Sequence, residues 1–398
     1  MKSVFIALFA ATISFASVQP ISAAEAAKFK EKVLHAFASG TDGASPEAGL
    51  LNLKGTLYGT TYGGGGRNSG VIFSLDPDTG AETVVHSFGN GTDGLNPQAS
   101  LIDVNGTLFG TTETGGGQGG GAVFALDLNT GAVTTVHGFC GQETCADGQY
   151  PQASLIDVNG TLYGTTYQGG TFGGGTVFSL DPSTGAEMVL HAFGGADGAG
   201  PHSNLIVVPS VIDLKSTLYG TTSYGGAYGQ GTVYSIDPST GVETVLHSFG
   251  NGRDGKVPYG GLISVNGTLY GTTWNGGRFT CGTYYCGAVF SLDPTTGAER
   301  VIHSFGKNTD GALPFASLID VEGTLYGTTS YGGTYSRGTV FSINPASGAE
   351  KVLHAFADDE AANPYASLID VNGSLYGTTE SGGANGGHGT VFVLTKKH

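Results

Sequence analysis

Two positions in this chain change their chemistry while everything around them repeats. The residue after a recurring proline reads Glu47, Gln98, Gln152, His202, Tyr259, Phe315 and Tyr365 from the first copy to the last. The residue after a recurring Gly-Thr-Thr reads Tyr62, Glu113, Tyr167, Ser223, Trp274, Ser330 and Glu380. A repeated scaffold makes the same demand at every copy, so a position that serves the scaffold tends to repeat. At the first position copies one to four are polar and copies five to seven aromatic. An aromatic arc facing polar groups suits a sugar, whose C–H face stacks and whose hydroxyl rim hydrogen-bonds. Drift on an exposed rim is the competing explanation. The candidate ligand-binding set is Trp274, Tyr259, Tyr365, Phe315, Tyr62, Tyr167, Glu113 and Glu380.

Copy five adds a long loop from Trp274 to Cys286, with the chain's one tryptophan and three further aromatics, Phe279, Tyr284 and Tyr285. A Cys281–Cys286 bond would stiffen it and lower the ordering cost of binding. Capping a channel is the other role open to such a loop.

Catalysis would need a tighter constellation. Glycosidases flank the scissile bond with carboxyls roughly 5–9.5 Å apart. Glu113 and Glu380 lie two copies apart, with Glu47 between them to shorten the gap. A lyase wants a base and a cation to neutralise a uronate carboxylate, roles that His202 and Arg278 fit. If the chain is an enzyme, the candidates are His202, Arg278 and Glu47. No Ser-His-Asp order and no nucleophile elbow appears. The leading expectation is therefore non-catalytic binding of carbohydrate or another extracellular partner. A polysaccharide lyase or glycoside hydrolase is the alternative.

Other residues look chemical and read as structural. A V-x-H-x-F-like run carries His35, His86, His137, His191, His247, His303 and His354. One histidine per copy, on an outermost strand, sets them too far apart to share an ion, since ligands must converge within a few ångströms. The D-G pairs at Asp42, Asp93, Asp147, Asp197, Asp254 and Asp310 lack the dense oxygen ligands of a calcium loop and read as turns. The glycine loops after Gly-Thr-Thr carry no phosphate-binding signature. No metal and no cofactor is expected. The cysteines form two C-x4-C pairs, Cys140/Cys145 and Cys281/Cys286. Local disulfides are the simple reading, with cross-pairing between the loops and a zinc site as alternatives.

The elements that must position these residues are short strands. A full unit runs Ala99–Val104, Asn105-Gly106, Thr107–Thr112, a glycine loop, Ala122–Asp127, a turn, and Val133–Phe139. Asn-Gly marks a type I′ hairpin, and D-P-x-T-G a turn with a left-handed glycine. A four-stranded antiparallel meander repeated seven times predicts an all-β, seven-bladed β-propeller. The chain opens with a fourth strand, Lys32–Phe37, and ends with a third, Thr390–Leu394, so the first strand closes the last blade 3+1 and hides two edges. Length varies almost only in the strand two–three loops and blade connectors, which emerge on one face. There the spacing from Tyr270 to Phe290 is 20 residues against 15 from Tyr58 to Phe73. Function is expected on that face.

Composition sets the wider bounds. With 71 glycines but also 21 Phe and 18 Tyr, the chain is neither collagen-like nor disordered. A net charge of −16 argues against nucleic acid, and no polybasic stretch suits an anionic membrane. Lys2, an apolar run from Val4 to Ala16, and small residues at Ser22 and Ala24 predict a signal peptide over 1–24. That leaves 25–398 as a single propeller domain. The expectation is a secreted or periplasmic monomer with no membrane insertion, whose partner is an extracellular glycan or protein.

The unit S-L-I-D-V-N-G-T-L-Y-G-T-T-x-x-G-G, then G-T-V-F-S-L-D-P-x-T-G-A-E-x-V-L-H-S-F, resembles the bacterial Gloeo/Verruco (GloVer) tandem repeat across essentially the whole mature chain. More distantly the blade layout is similar to kelch propellers. The resemblance implies an exported repeat protein and carries over no catalytic residue.

Overall fold

A computed structural model describes residues 29–141, 144–209, 216–357 and 360–397. The expected signal peptide, 1–24, lies outside them. So do the end of the blade-four insertion at 210–215 and Asp358 and Asp359 of blade seven.

Seven four-stranded antiparallel sheets follow one another in sequence order. Blade two is typical, with strands Ile102–Val104, Thr107–Thr112, Ala122–Asp127 and Val133–Gly138. Its first hairpin has φ 55° at Asn105 and 90° at Gly106, the double left-handed turn that Asn-Gly predicts. The first strand is shorter than the sequence suggested. Ala99–Leu101 leave the ladder where the seven inner strands crowd the axis, and Ser100 N–H donates instead to Ser154 Oγ of the next blade at 2.9 Å.

The repeated L-[YF]-G-T-T gains a physical reason. A Cβ on Gly110 would lie 2.5 Å from Phe124 Cζ, so only glycine lets the third-strand ring cross the second strand. The first threonine leaves its blade. Thr60 Oγ1 donates to the Ala99 carbonyl of blade two at 3.2 Å, and Thr111 repeats the bond to Ala153. The series continues to Thr378, whose hydroxyl reaches the Ala48 carbonyl of blade one at 2.9 Å and ties the ring. The Phe of each H-x-F run wedges between blades. Phe37 meets Phe73 edge-on at 5.2 Å and Phe88 meets Phe124 at 5.1 Å.

Closure is 3+1. The strand Phe29–Ala36 pairs with Thr390–Lys396, from Phe29 against Lys396 to Ala36 against Thr390. The closing strand begins three residues before the expected Lys32, and Phe37 has left the ladder to fill the core between blades.

The histidines and the D-G aspartates, read separately in the sequence, form one device. His86 Nε2 lies 2.9 Å from Asp93 Oδ2, and Gly89 N–H donates to Asp93 Oδ1 at 3.2 Å. His35 and Asp42 (3.1 Å), and His191 and Asp197 (2.9 Å), repeat it. His137–Asp147, His247–Asp254 and His303–Asp310 are looser, at 3.4–3.6 Å. The pair clips each connector to the outer strand before it. The connector into blade seven lacks the D-G, and there His354 of blade six lies instead beside Glu31 and Glu360.

Candidate functional site

The connectors turn inward through a strained step. The residue before each proline has positive φ, including Tyr150 (60°), Val257 (55°) and Leu313 (56°). For a β-branched side chain this is a rare conformation. Short bridges hold the turn, such as Ala44 with Gly63 and Leu95 with Thr114, where a connector pairs with the following strand two–three loop. Connectors and long loops therefore share one face. The proline follows, and the next side chain points to the axis.

All seven post-proline residues line one central cavity of about 300 Å³. Glu380 joins them at the wall, and serines and glycines such as Ser100, Ser154 and Gly261 form the floor.

One wall is acidic. Gln98 Nε2 donates to Glu47 Oε2 at 3.0 Å, and Gln152 Nε2 to Glu113 Oε1 at 2.8 Å. Burial, then the charges of Glu380 and Glu113, push the Glu47 carboxyl up to about 7, and the Gln98 bond only partly offsets them. Burial raises Glu380 as well. Tyr62 stands beside Glu113, and burial followed by that carboxylate raises its phenol.

The opposite wall is aromatic. Tyr259 stacks on Phe315 at 4.6 Å, and Phe315 meets Tyr365 edge-on at 5.0 Å. His202 sits against Tyr259 at 5.1 Å and Phe315 at 5.3 Å. Burial lowers its pKa to about 4, so the imidazole is neutral at physiological pH. Tyr167 flanks His202 at 6.1 Å, its phenol pushed up to about 12 by burial and by Tyr224. Trp274 stands at the rim, 6.0 Å from Tyr259 and 5.1 Å from Tyr284. The expected ligand set thus gathers around one axis.

Arg278 does not join it. The side chain is exposed, lies 5.7 Å from the Phe279 ring centre and does not line the cavity. The proposed lyase pairing of His202 with Arg278 is therefore not assembled. Both local disulfides, Cys140–Cys145 and Cys281–Cys286, are present. Cys286 is fully buried against Phe305 and Leu318, so this bond anchors the Trp274 loop in the core between blades five and six.

Two rim residues escaped the sequence reading. Ser223 and Ser330 are fully buried, and their hydroxyls donate to the carbonyls of Pro258 and Leu313. The rim then passes to the next residue. Tyr224 reaches Tyr259 oxygen to oxygen at 3.2 Å, and Tyr331 bonds Tyr365. The signal was the Ser-Tyr pair: a small residue that folds inward hands its place to the bulky one after it.

The Gloeobacter/Verrucomicrobia repeat matches three overlapping stretches, residues 21–211, 146–285 and 280–398. No curated protein matches the chain. Among solved structures, the chain is similar to the extracellular domain of the two component system BT4673 from B. thetaiotaomicron, with a TM-score of 0.58 and 10% identity. That likeness covers 92% of this chain and 39% of the other, so the chain spans well under half of its neighbour. A europium-containing methanol dehydrogenase follows at TM-score 0.53 and 15% identity, covering 87% and 81%. An oligogalacturonate lyase in complex with manganese gives 0.50 and 12%, covering 93% and 91%. At such identities these likenesses show the fold alone. Among the described residues no helix is long and apolar enough to cross a membrane.

Proposed function

The chain belongs to the Gloeobacter/Verrucomicrobia repeat family, and from that premise we propose that it is an exported, non-catalytic propeller that binds carbohydrate through its loop face. The observation that carries this reading is the two-sided cavity. Tyr259, Phe315 and Tyr365 offer ring faces, while Glu47, Gln98 and Gln152 offer hydrogen-bonding groups across the axis. A sugar ring needs both at once. Trp274 extends the aromatic shelf to the rim on a loop stiffened by a disulfide. Export is supported by the two disulfides, which persist in oxidising compartments. The protein acts as a monomer with an extracellular glycan as partner, without nucleic acid or membrane insertion. A glycan array tests the reading: binding that Trp274→Ala or Tyr259→Ala abolishes supports it. An array without hits, or hits indifferent to both variants, overturns it.

One observation favours a second reading, a glycoside hydrolase at the same mouth. Glu47, which lines the cavity and is raised to about 7 by burial and by the charges of Glu380 and Glu113, has the elevated carboxyl of a general acid. New reducing ends from a polysaccharide panel, lost in Glu47→Gln, would establish it. A panel without products removes it.

A further inference from the structure

We propose that the central cavity takes a ligand carrying a positively charged nitrogen, and that this ligand is a glycan with free amino groups, of the glucosamine class. The sugar part rests on the carbohydrate reading above. The charge comes from the chemistry of the cavity itself.

Glu47 and Glu380 line the cavity, the charge of Glu113 acts on Glu47, and among the described residues no lysine or arginine lines it. Two carboxyls from blades one and seven thus share the cavity, and a third, from blade two, adds its charge at Glu47. Gln98 and Gln152 answer two of them, each spending an N–H on a glutamate and leaving its own buried Oε1 unpartnered. His202 on the other wall is held neutral by burial, and its contacts are with aromatic rings. Its ring nitrogen therefore still has a lone pair to give. The faces of Tyr259, Phe315 and Tyr365 carry the negative side of the aromatic quadrupole.

Beside the remaining amide, imidazole and phenol donors, both walls offer hydrogen-bond acceptors and cation-attracting ring faces. An ammonium relieves the repulsion among the carboxylates and meets the ring faces by cation–π attraction. A neutral sugar answers the acceptors through its hydroxyls and leaves that repulsion in place. A uronate adds a like charge, and Arg278, which would offset it, does not line the cavity.

The test is calorimetric titration of the folded protein at fixed ionic strength with four probes: a glucosamine oligomer, its N-acetylated counterpart, an oligogalacturonate and spermidine. The glucosamine oligomer is expected to bind at least about tenfold more tightly than the acetylated one. Glu47→Gln with Glu380→Gln is expected to weaken it by about as much. Acidification through about pH 7, followed with spermidine because its amines stay protonated there, should weaken binding as Glu47 takes up a proton. Glu380, Glu113, Tyr62, Tyr167, Tyr259, Tyr365 and His202 are the other titratable groups around the site. The four-probe comparison needs no variant, so a misfolded double mutant leaves it intact. Equal binding of the two glucosamine oligomers, or preference for oligogalacturonate, overturns the charge inference and leaves the carbohydrate reading standing. Spermidine binding with no sugar bound upholds the charge and overturns the sugar. No binding by any probe overturns both.

Discussion

Gln98 donates its side-chain amide to Glu47 across the boundary between blades two and one, at 3.0 Å. The bond stabilises a carboxylate that two neighbouring glutamates and burial destabilise, and the balance leaves Glu47 titrating at about 7. Gln98→Leu removes the one influence that lowers this value, so the midpoint should rise. Glu113→Gln removes a repelling charge, so it should fall. Carboxyl infrared bands or side-chain carbon shifts followed through the pH titration check both directions. An unchanged midpoint in both variants would mean that Glu47 is uncoupled from its neighbours.

The same raised value ties stability to pH. Glu47 holds its proton more tightly folded than at its ordinary value of 4.5. Below that value both states are protonated and nothing is lost. As pH rises through about 7 the folded state must ionise a buried group, at a cost of up to about 3 kcal/mol. Glu47→Gln should therefore raise the unfolding midpoint near pH 8 and leave it unchanged near pH 4. Urea denaturation at both pH values reads the difference. A gain of equal size at both would place its origin outside the ionisation.

Asp93 is 8% exposed and is held by His86 and by Gly89 N–H. Asp93→Ala leaves both partners without their acceptor and frees the connector into blade two, costing roughly 1–3 kcal/mol. Asp42 makes the same bonds to His35 and Ala38 N–H but is more exposed, so Asp42→Ala should cost less. Chemical denaturation of the two variants ranks them.

Val257 occupies a left-handed conformation, φ 55°, that β-branched residues avoid. Asn96 and Asn363 fill the equivalent position in other blades and donate to the Tyr62 and Ser330 carbonyls at 3.0 and 2.8 Å. Val257→Asn should relieve the strain and regain that bond, stabilising the fold by about 1 kcal/mol. Val257 also accepts Trp274 N–H at 3.0 Å, so the substitution probes how the rim is held. A lower thermal midpoint for the variant would show that burial of the valine side chain outweighs the strain.

A chain starting at Phe37 lacks the strand Phe29–Ala36 and leaves Thr390–Lys396 as an open edge. Such an edge pairs with other chains. The truncated protein should aggregate and unfold without a single cooperative transition, measured by light scattering and calorimetry. A soluble, cooperatively folding truncation would remove the strand from the closure of the ring.

Much was determined by the sequence alone, because a repeat states its structural demands seven times. The blade number, the Asn105-Gly106 hairpin, the closing strand and the variable face could all be read from spacing. So could the post-proline position that lines the mouth, since Glu47, His202 and Tyr259 break a pattern that otherwise holds. What tertiary structure decided were contacts between residues far apart in the chain or in different copies of the repeat. Spacing could not say that Thr378 would reach Ala48 across the ring closure. Nor could it show His86 and Asp93, read as packing and turn, closing on each other as a clip, because a bulge and a folded connector set that distance. The outward Arg278, the inward Ser223 and Ser330, and the substitute rim residues Tyr224 and Tyr331 depend on which side chains the crowded mouth can bury. That is a matter of volume around a shared axis, to which all seven blades contribute and which no single copy of the repeat encodes.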